Sequence, residues 1–310
     1  MLGLASALSW GAGDFAGGLV SRYTSVLTAI LAAQAIGLAA VIALLLGSGE
    51  AMPSGAALAW SAAAGAAGVG GLFCFYAALA RGTMGLVAPL AALIGAGLPA
   101  LVSIAAGERL GDLRLGGIVL GLAAVVLISL PLGPSTPAEQ RKVRIDVADL
   151  PLVIFAGLGF AGFYLFLDRA AAVGGETWWP LTTVRAAGLS IVVLVIIGAL
   201  LRGLRRAGSL PAAAGNVFGL AGLRDRPVSA AVLLILFAAS GFGDLGGNAF
   251  FVLANQADTL PVAVVLSSLY PVVTTILAGI FLHERLRPIQ LVGIAAAVIA
   301  VALIGVGEIG

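Results

Sequence analysis

The sequence predicts an all-α polytopic membrane protein whose ten transmembrane helices form two inverted five-helix repeats. Three observations support this fold class. Of the 310 residues, 61% are hydrophobic and only 10% are charged, whereas soluble domains carry roughly 25% charged residues. Apolar runs of about 20 residues, the length that crosses a bilayer core as a helix, recur along the whole chain. The two halves of the chain also resemble each other.

Ten apolar segments are predicted to span the membrane. The first is interrupted only by small polar residues, so we expect a true spanning helix there and no cleaved signal sequence. Two connections are long and polar: 131–151 is rich in proline and charge, and 202–227 is predicted to hold a short interfacial helix around 212–223. The ten segments are residues 2–20, 26–47, 56–80, 84–106, 115–132, 151–172, 178–201, 229–254, 260–282 and 288–307.

The repeats occupy residues 1–130 and 151–310, with a polar linker at 131–150. A shift of 176 aligns residues 107–129 with 283–305 at ten identities in 23 positions, and a shift of 151 aligns AQAIGL at 33–38 with VRAAGL at 184–189. Each half has an odd number of spans, so the second half must enter the membrane inverted relative to the first. Inverted repeats around a central site are the common plan of secondary transporters.

The loop charges predict an orientation, because cytoplasmic loops carry an excess of Lys and Arg. Twelve of these residues collect on the side of the loop between the first two spans, and three on the other side. This distribution places both termini outside the cytoplasm. We expect a multi-pass protein of the inner (cytoplasmic) membrane.

Three residue types that carry cofactor chemistry are almost absent. Lys142, His283 and Cys74 are the only lysine, histidine and cysteine. A retinal-type Schiff base within the membrane and an intrachain disulfide are therefore excluded, and a histidine-ligated haem or metal site is disfavoured. We expect no cofactor, no metal and no nucleic-acid partner. The expected partners are the lipid bilayer and a small-molecule substrate, with coupling to protons as one option.

Two octets with the same Gly-x-Gly-Asp core, GAGDFAGG at 11–18 and GFGDLGGN at 241–248, lie inside predicted spans. The glycines fit close helix packing in lipid, whereas the dinucleotide fingerprint that 241–246 also satisfies requires a preceding strand. A carboxylate at mid-bilayer costs at least ~2.5–3.5 kcal/mol. Asp14 and Asp244 are therefore predicted to face a watery cavity, with a structural hydrogen bond between helices as the alternative.

Side chains at the depth of these two aspartates form the predicted substrate site. Arg185 is predicted to be a counter-ion for either aspartate or an anchor for a substrate carboxylate; the alternative is that it snorkels to the interface. Aromatic rings can stack on a substrate or hold an ammonium group by cation–π attraction, worth roughly 0.5–2 kcal/mol. Pro271, in SSLYP, is predicted to open its helix beside the cavity. The predicted set is Trp10, Asp14, Gln34, Phe73, Tyr76, Phe163, Tyr164, Arg185, Asp244, Asn248, Phe251, Ser267 and Tyr270.

The order of several short motifs resembles a known family. A five-plus-five duplication, SWG at 9–11, GERL at 107–110, SSLYP at 267–271 and HERL at 283–286 resemble the EamA-domain transporters of the drug/metabolite transporter superfamily, and within it the YddG-like amino-acid exporters. The resemblance covers almost the whole chain. It implies secondary transport of small polar metabolites, most often amino-acid export, through a cavity open alternately to each side, and no enzymatic activity.

The chain departs from this family in two respects. Members usually carry an arginine where Gln34 stands, and they keep their termini in the cytoplasm.

Glu108 and Glu284, which close the fourth and ninth spans, are predicted to make end-capping or gate-side ion pairs.

Two alternative functions share the same residues. Proton-coupled antiport of lipophilic or quaternary cations would use Asp14 as the group for which protons and cations compete. A remote alternative is a GxGD-type intramembrane aspartyl protease, which needs two carboxylates that share a proton. GLPAL at 97–101 contains the Pro-Ala-Leu of such proteases, but their tyrosine-aspartate element is missing.

Overall fold

The computed structural model describes residues 1–80, 84–130, 150–219, 228–283 and 287–307, and all regular secondary structure in these ranges is helical. The helices are α1 (Leu2–Val20), α2 (Val26–Ser48), α3 (Gly55–Ala80), α4 (Met84–Ala105), α5 (Asp112–Ser129), α6 (Leu150–Ala172), α7 (Trp178–Ala207), α8 (Leu210–Phe218), α9 (Ala230–Ala257), α10 (Leu260–Ser267), α11 (Tyr270–Phe281) and α12 (Pro288–Val306).

Nine segments of the described chain are long and apolar enough to cross a membrane. They are α2 to α7, α9, the combined α10–α11 segment and α12. The predicted class, an all-α multi-pass membrane protein, is therefore confirmed. Helix α1 has 19 residues but is not among the nine, because its serines, glycines and Asp14 lower its hydropathy.

Local sequence signals account for the helix ends. Ser25 and Ser229 are N-caps whose side chains accept hydrogen bonds from the amides of Thr28 and Val232, which satisfies amide groups that have no partner within the helix. Helix α7 stops at Gly208, which has φ of +68°, a left-handed conformation that glycine adopts without a steric penalty. The short helix predicted around 212–223 is α8, which begins at Leu210; residues 220–223 lie outside the described ranges.

The segment predicted as one span at 260–282 consists of two helices. Helix α10 ends at Ser267, and α11 begins at Tyr270 with Pro271 in its first turn. Proline lacks an amide hydrogen, and its ring clashes with the carbonyl four residues earlier, so Pro271 favours a new helix start at this point. The break lies at mid-depth in the bundle, beside the cavity described below.

The helices pack in pairs that run along each other. Helix α1 packs against α9, α3 against α6, α5 against α12, and α2 against α7. Two close crossings are made by pairs of glycines: a Cβ atom on Gly243 would lie 2.5 Å from the Cα atom of Gly13, and one on Gly159 would lie 2.5 Å from that of Gly71. Such approaches provide the dispersion contacts that hold helices together in lipid, where the hydrophobic effect does not.

Candidate functional site

A cavity of about 380 Å³ extends from the middle of the bundle to the end that holds the α1–α2 loop. Trp10 and Asp14 line it at mid-depth, and Ser21 and Val26 line it at the loop end. The residues near the opposite ends of the helices do not contribute to its wall. Within the described chain, the cavity is therefore open toward one end of the bundle and closed toward the other.

The floor of the cavity contains an ion pair. Arg185, on α7, is only 2% exposed, and its Nη1 group donates to the Gln34 Oε1 atom at 2.6 Å and to the Asp244 carboxylate. Asp244 has 39% of its side chain exposed and lines the cavity. Arg185 therefore points into the bundle and pairs with one of the two predicted aspartates. The alternative that it snorkels to the interface is wrong, because its hydrogen bonds draw it inward.

The Arg185 guanidinium is only partly satisfied. Its Nε and Nη2 atoms are buried and have no hydrogen-bond partner in the described part of the chain. Unpaired donors on a buried cation are costly, so this group would gain from a further acceptor such as a second carboxylate. Gly37 lies directly against the guanidinium, since a Cβ atom there would come within 3.3 Å of Nε.

The second carboxylate, Asp14, is exposed on the cavity wall. It makes no hydrogen bond and no ion pair with any residue that the structure describes, and it lies close enough to Asp244 for electrostatic repulsion. The two aspartates are neighbours because the glycines that precede them, Gly13 and Gly243, form the α1–α9 crossing. The two Gly-x-Gly-Asp octets thus meet each other. With all three groups ionised, Asp14, Asp244 and Arg185 leave the cavity with an excess of one negative charge.

Aromatic rings close the cavity at mid-depth. Trp10 is central: its ring centroid lies 6.3 Å from that of Phe163, 6.1 Å from Tyr164 and 6.2 Å from Tyr270. Its indole nitrogen donates to Asn248 Oδ1 at 3.0 Å, which fixes the ring orientation. Phe251 is fully buried and lies 4.7 Å from the Tyr164 ring, so it supports this aromatic layer from the closed side.

Polar contacts tie the helices together beyond the aromatic layer. Arg114 forms an ion pair with Asp258 at 3.0 Å, and the Asn255 side chain donates to Asp168 at 3.0 Å. Glu108 accepts a hydrogen bond from the Ser103 hydroxyl, and burial, followed by the nearby carboxylates of Asp168 and Asp258, raises the pKa of Glu108. These contacts join α5, α6 and α9 at the closed end of the bundle.

The start of α7 is held at the same end by a carboxylate. Glu50 accepts hydrogen bonds from the amides of Trp178 at 2.7 Å and Trp179 at 3.1 Å. An acidic side chain at a helix N-terminus satisfies free amides and complements the helix dipole. This anchor sets the depth of Arg185, about two turns further along α7.

Most of the predicted site residues converge. Phe73 does not line the cavity and packs against the cluster that contains Val192 and Ile196. Ser267 and Phe251 are fully buried behind the wall, and the side chain of Tyr76 lies outside the described residues, as does Glu284. The predicted residues on the cavity wall are Trp10, Asp14, Gln34, Phe163, Tyr164, Arg185, Asp244, Asn248 and Tyr270.

Several wall residues were not predicted. Ser240 lies one turn before Asp244 and Ser21 two turns after Asp14, so helical periodicity from the aspartates could have found both. Phe75 and Phe160, with ring centroids 5.9 Å apart, line the open half of the cavity. Phe75 lies between the two predicted aromatic residues Phe73 and Tyr76, so the sequence located this aromatic cluster but not the ring that faces the cavity.

The fold is similar to that of 24 chains of solved structures. One of them, described as a "Crystal structure of protein", superposes with a TM-score of 0.61 over 98% of this chain and 96% of the other, at 19% sequence identity. A likeness at this identity establishes a shared fold over the full length. No family model and no curated protein matches the sequence.

Proposed function

We propose that this chain is a secondary transporter of small polar metabolites, chiefly amino acids that it exports. We further propose that it is an EamA-type member of the drug/metabolite transporter superfamily in the cytoplasmic (inner) membrane. The observation that carries the proposal is the half-open cavity with ionic groups at its floor. A site at mid-membrane that is reached from one side and sealed from the other is what alternating access requires.

The inverted repeat is supported by reciprocal contacts. At the shift of 151, Gln34 corresponds to Arg185 and Gly37 to Gly188. A Cβ atom on Gly37 would lie 3.4 Å from the Arg185 guanidinium carbon, and one on Gly188 would lie 3.5 Å from the Gln34 amide carbon. Gly37 thus contacts Arg185 in the same way as Gly188, the repeat mate of Gly37, contacts Gln34, the repeat mate of Arg185. Reciprocal contacts of this kind are expected when two repeats are related by a two-fold axis.

The last helices of each half support the same relation. At the shift of 176, Gly117 corresponds to Gly293 and Ile128 to Ile304. A Cβ atom on Gly117 would lie 2.7 Å from the Ile304 Cγ1 atom, and one on Gly293 would lie 2.7 Å from the Ile128 Cγ1 atom. With α1 counted as the tenth span, the proposed pseudo-two-fold axis would relate five helices to five.

For an amino-acid substrate, the ammonium group would pair with Asp14 beside the Trp10 ring. The carboxylate would approach Gln34 and compete with Asp244 for Arg185, whose remaining donors are unsatisfied. Exchange of one carboxylate for another on a buried guanidinium avoids leaving the cation unpaired, which is the costly state. The bound substrate would thereby loosen the contact between α7 and α9.

The test is uptake and efflux of labelled amino acids by purified protein in liposomes. We expect Asp14→Asn and Arg185→Ala to abolish transport. Asp112→Asn and Arg205→Ala, which alter exposed side chains of the same types outside the cavity, should retain it. Absence of transport and of ligand-dependent stabilisation across amino acids and small cations would refute the proposal.

Proton-coupled antiport of quaternary or lipophilic cations is the second candidate, and the excess negative charge of the cavity favours it. The two functions can be distinguished by which ligands bind and by which variants weaken that binding. A cation such as tetraethylammonium would be displaced by protons at Asp14 and would need no contact with Gln34. An amino acid would lose affinity on Gln34→Ala as well as on Asp14→Asn, as measured by isothermal titration over a range of pH.

The protease alternative is disfavoured by the ion pair. Two catalytic carboxylates must share one proton, whereas Asp244 is engaged by Arg185.

The membrane orientation follows from the loop charges in this proposal, so the cavity opens to the cytoplasm. A reporter fused to the C-terminus and active only outside the cytoplasm would test it; activity of a cytoplasm-restricted reporter would favour the opposite orientation seen in the family.

A further inference from the structure

A second cavity, of about 450 Å³, lies between the last turns of α7 and the short helix α8. It shares no lining residue with the central cavity. Its wall combines two arginines and an amide with small apolar side chains: Ala199, Arg202, Gly203, Arg206, Ala213, Asn216 and Val217.

The length of α7 places this cavity at the membrane surface. The helix has 30 residues, which at 1.5 Å per residue is about 45 Å, whereas a hydrocarbon core is about 30 Å thick. With its start held by Glu50 at one end of the bundle, the last turns of α7 extend beyond the core at the other end. Arg202 and Arg206 are four residues apart, so they lie on one face of the helix at the depth of lipid headgroups.

Helix α8 is fixed against both α7 and α2. A Cβ atom on Gly203 would lie 3.0 Å from the Ala213 Cβ atom. The Ser25 hydroxyl donates to the carbonyl of Val217 at 2.6 Å, and the Thr28 hydroxyl donates to that of Phe218 at 3.0 Å. The cavity is therefore bounded by elements that hydrogen bonds and close packing already hold in place. Leu210, at the start of α8, is 57% exposed.

Within the described ranges, no acidic side chain pairs with the arginines of this cavity. In the part of the chain that the structure describes, Arg202 and Arg206 form no ion pair and no hydrogen bond with a side chain, and both are exposed. Two like charges one turn apart repel each other, so an anion between them would be stabilised. Guanidinium groups match phosphate oxygens in pairs of hydrogen bonds, and a phosphodiester attached to acyl chains fits a site that is polar toward water and apolar toward lipid.

We propose that the cavity between α7 and α8 binds the headgroup of an anionic phospholipid, with Arg202 and Arg206 on its phosphate and Asn216 on a headgroup or ester oxygen. This inference does not rest on the proposed transport function. Because α8 is bonded to the start of α2, whose Val26 and Ile30 line the central cavity, the bound lipid would brace the mouth of that cavity.

The experiment titrates the full-length protein in neutral detergent with phosphatidylglycerol or phosphatidylcholine and follows binding by native mass spectrometry and by thermal stability. We expect saturable binding and stabilisation by phosphatidylglycerol only. Each arginine near an anionic surface contributes about five-fold in affinity, so Arg206→Gln should weaken binding about five-fold and the Arg202→Gln/Arg206→Gln double variant about 25-fold.

Two further variants make the test specific. Arg205→Gln removes the same charge one residue away but outside the cavity, and we expect its affinity to stay within about two-fold of the unmodified chain. Ala199→Phe fills the cavity and keeps both arginines, and we expect it to lose lipid binding.

Three results would overturn the proposal. Equal weakening by Arg205→Gln and Arg206→Gln would mean that diffuse surface charge attracts the lipid. Equal stabilisation by inorganic phosphate or glycerol phosphate at matched concentration would mean that the site takes a free anion. Unchanged lipid binding in Ala199→Phe would mean that the cavity is not the site.

Discussion

The ion pair between Arg185 and Asp244 predicts an asymmetric response to mutation. Asp244→Asn leaves a guanidinium that is 2% exposed without a counter-charge, whereas Arg185→Gln leaves a carboxylate with 39% of its side chain exposed to the cavity. Removing one partner of a fully buried pair costs about 3–5 kcal/mol. Water in the cavity screens part of this interaction, and asparagine still accepts a hydrogen bond. We therefore expect Asp244→Asn to lower the free energy of unfolding by about 2 kcal/mol.

The reverse substitution should cost less. Arg185→Gln can still donate to Asp244 and Gln34, and water can reach the carboxylate that it leaves, so we expect a loss of about 1 kcal/mol or less. The double variant replaces two opposite charges by two amides, and it should be more stable than Asp244→Asn alone because no buried charge remains unpaired.

The assay is unfolding by sodium dodecyl sulfate in mixed micelles, followed by tryptophan fluorescence, with all four proteins forming a double-mutant cycle. Two results would refute this argument. One is a loss of unfolding free energy in the double variant that equals the sum of the two single losses. The other is a larger loss for Arg185→Gln than for Asp244→Asn, because Arg185 is the more deeply buried partner.

Three further predictions concern packing and the closed end of the bundle. Gly243→Ala should destabilise by about 1–3 kcal/mol in the same unfolding assay, while Gly18→Ala, where an added Cβ would meet nothing within 4 Å, should not destabilise; equal effects would contradict the crossing. Burial raises the pKa of Glu108, so the folded protein favours the protonated carboxyl. The stability that this carboxyl contributes is present below its unfolded pKa of 4.5 and is lost as the pH rises through its folded pKa. Glu108→Gln should therefore gain stability over the unmodified protein as pH rises across that window, and a constant difference would contradict this. Arg114→Gln breaks the ion pair with Asp258 at the closed end. It should therefore speed the reaction of a thiol reagent, added at that end, with a cysteine placed in the aromatic layer. An unchanged reaction rate would mean that the aromatic layer alone forms the seal.

The sequence by itself determined the class, the helix positions and the two carboxylates. Hydrophobic length is a local property, so nine of the ten predicted spans correspond to segments long and apolar enough to cross a membrane. Their ends lie within three residues of those observed, except that α7 continues to Ala207, six residues beyond the predicted end at 201. Asp14 and Asp244 could be selected because a charge inside an apolar run is costly wherever the run packs. Pro271 marked a point where the helix could open, but the sequence predicted one span at 260–282, and Pro89 and Pro99 lie inside the continuous helix α4.

Only the tertiary structure decided which groups meet. In lipid, the outer face of a helix is as apolar as its packed face. The pattern of hydrophobic residues in α2 therefore does not show which face is buried. For this reason the sequence could not assign Arg185 to Asp244 in preference to Asp14, and it could not show that Phe251 and Ser267 lie behind the cavity wall while Phe75 and Phe160 lie on it. The closure at one end also depends on contacts between distant helices, such as Arg114 on α5 with Asp258 after α9. Those contacts depend on crossing geometry, which close approaches such as that of Gly13 to Gly243 set, and not on the hydropathy of any single segment.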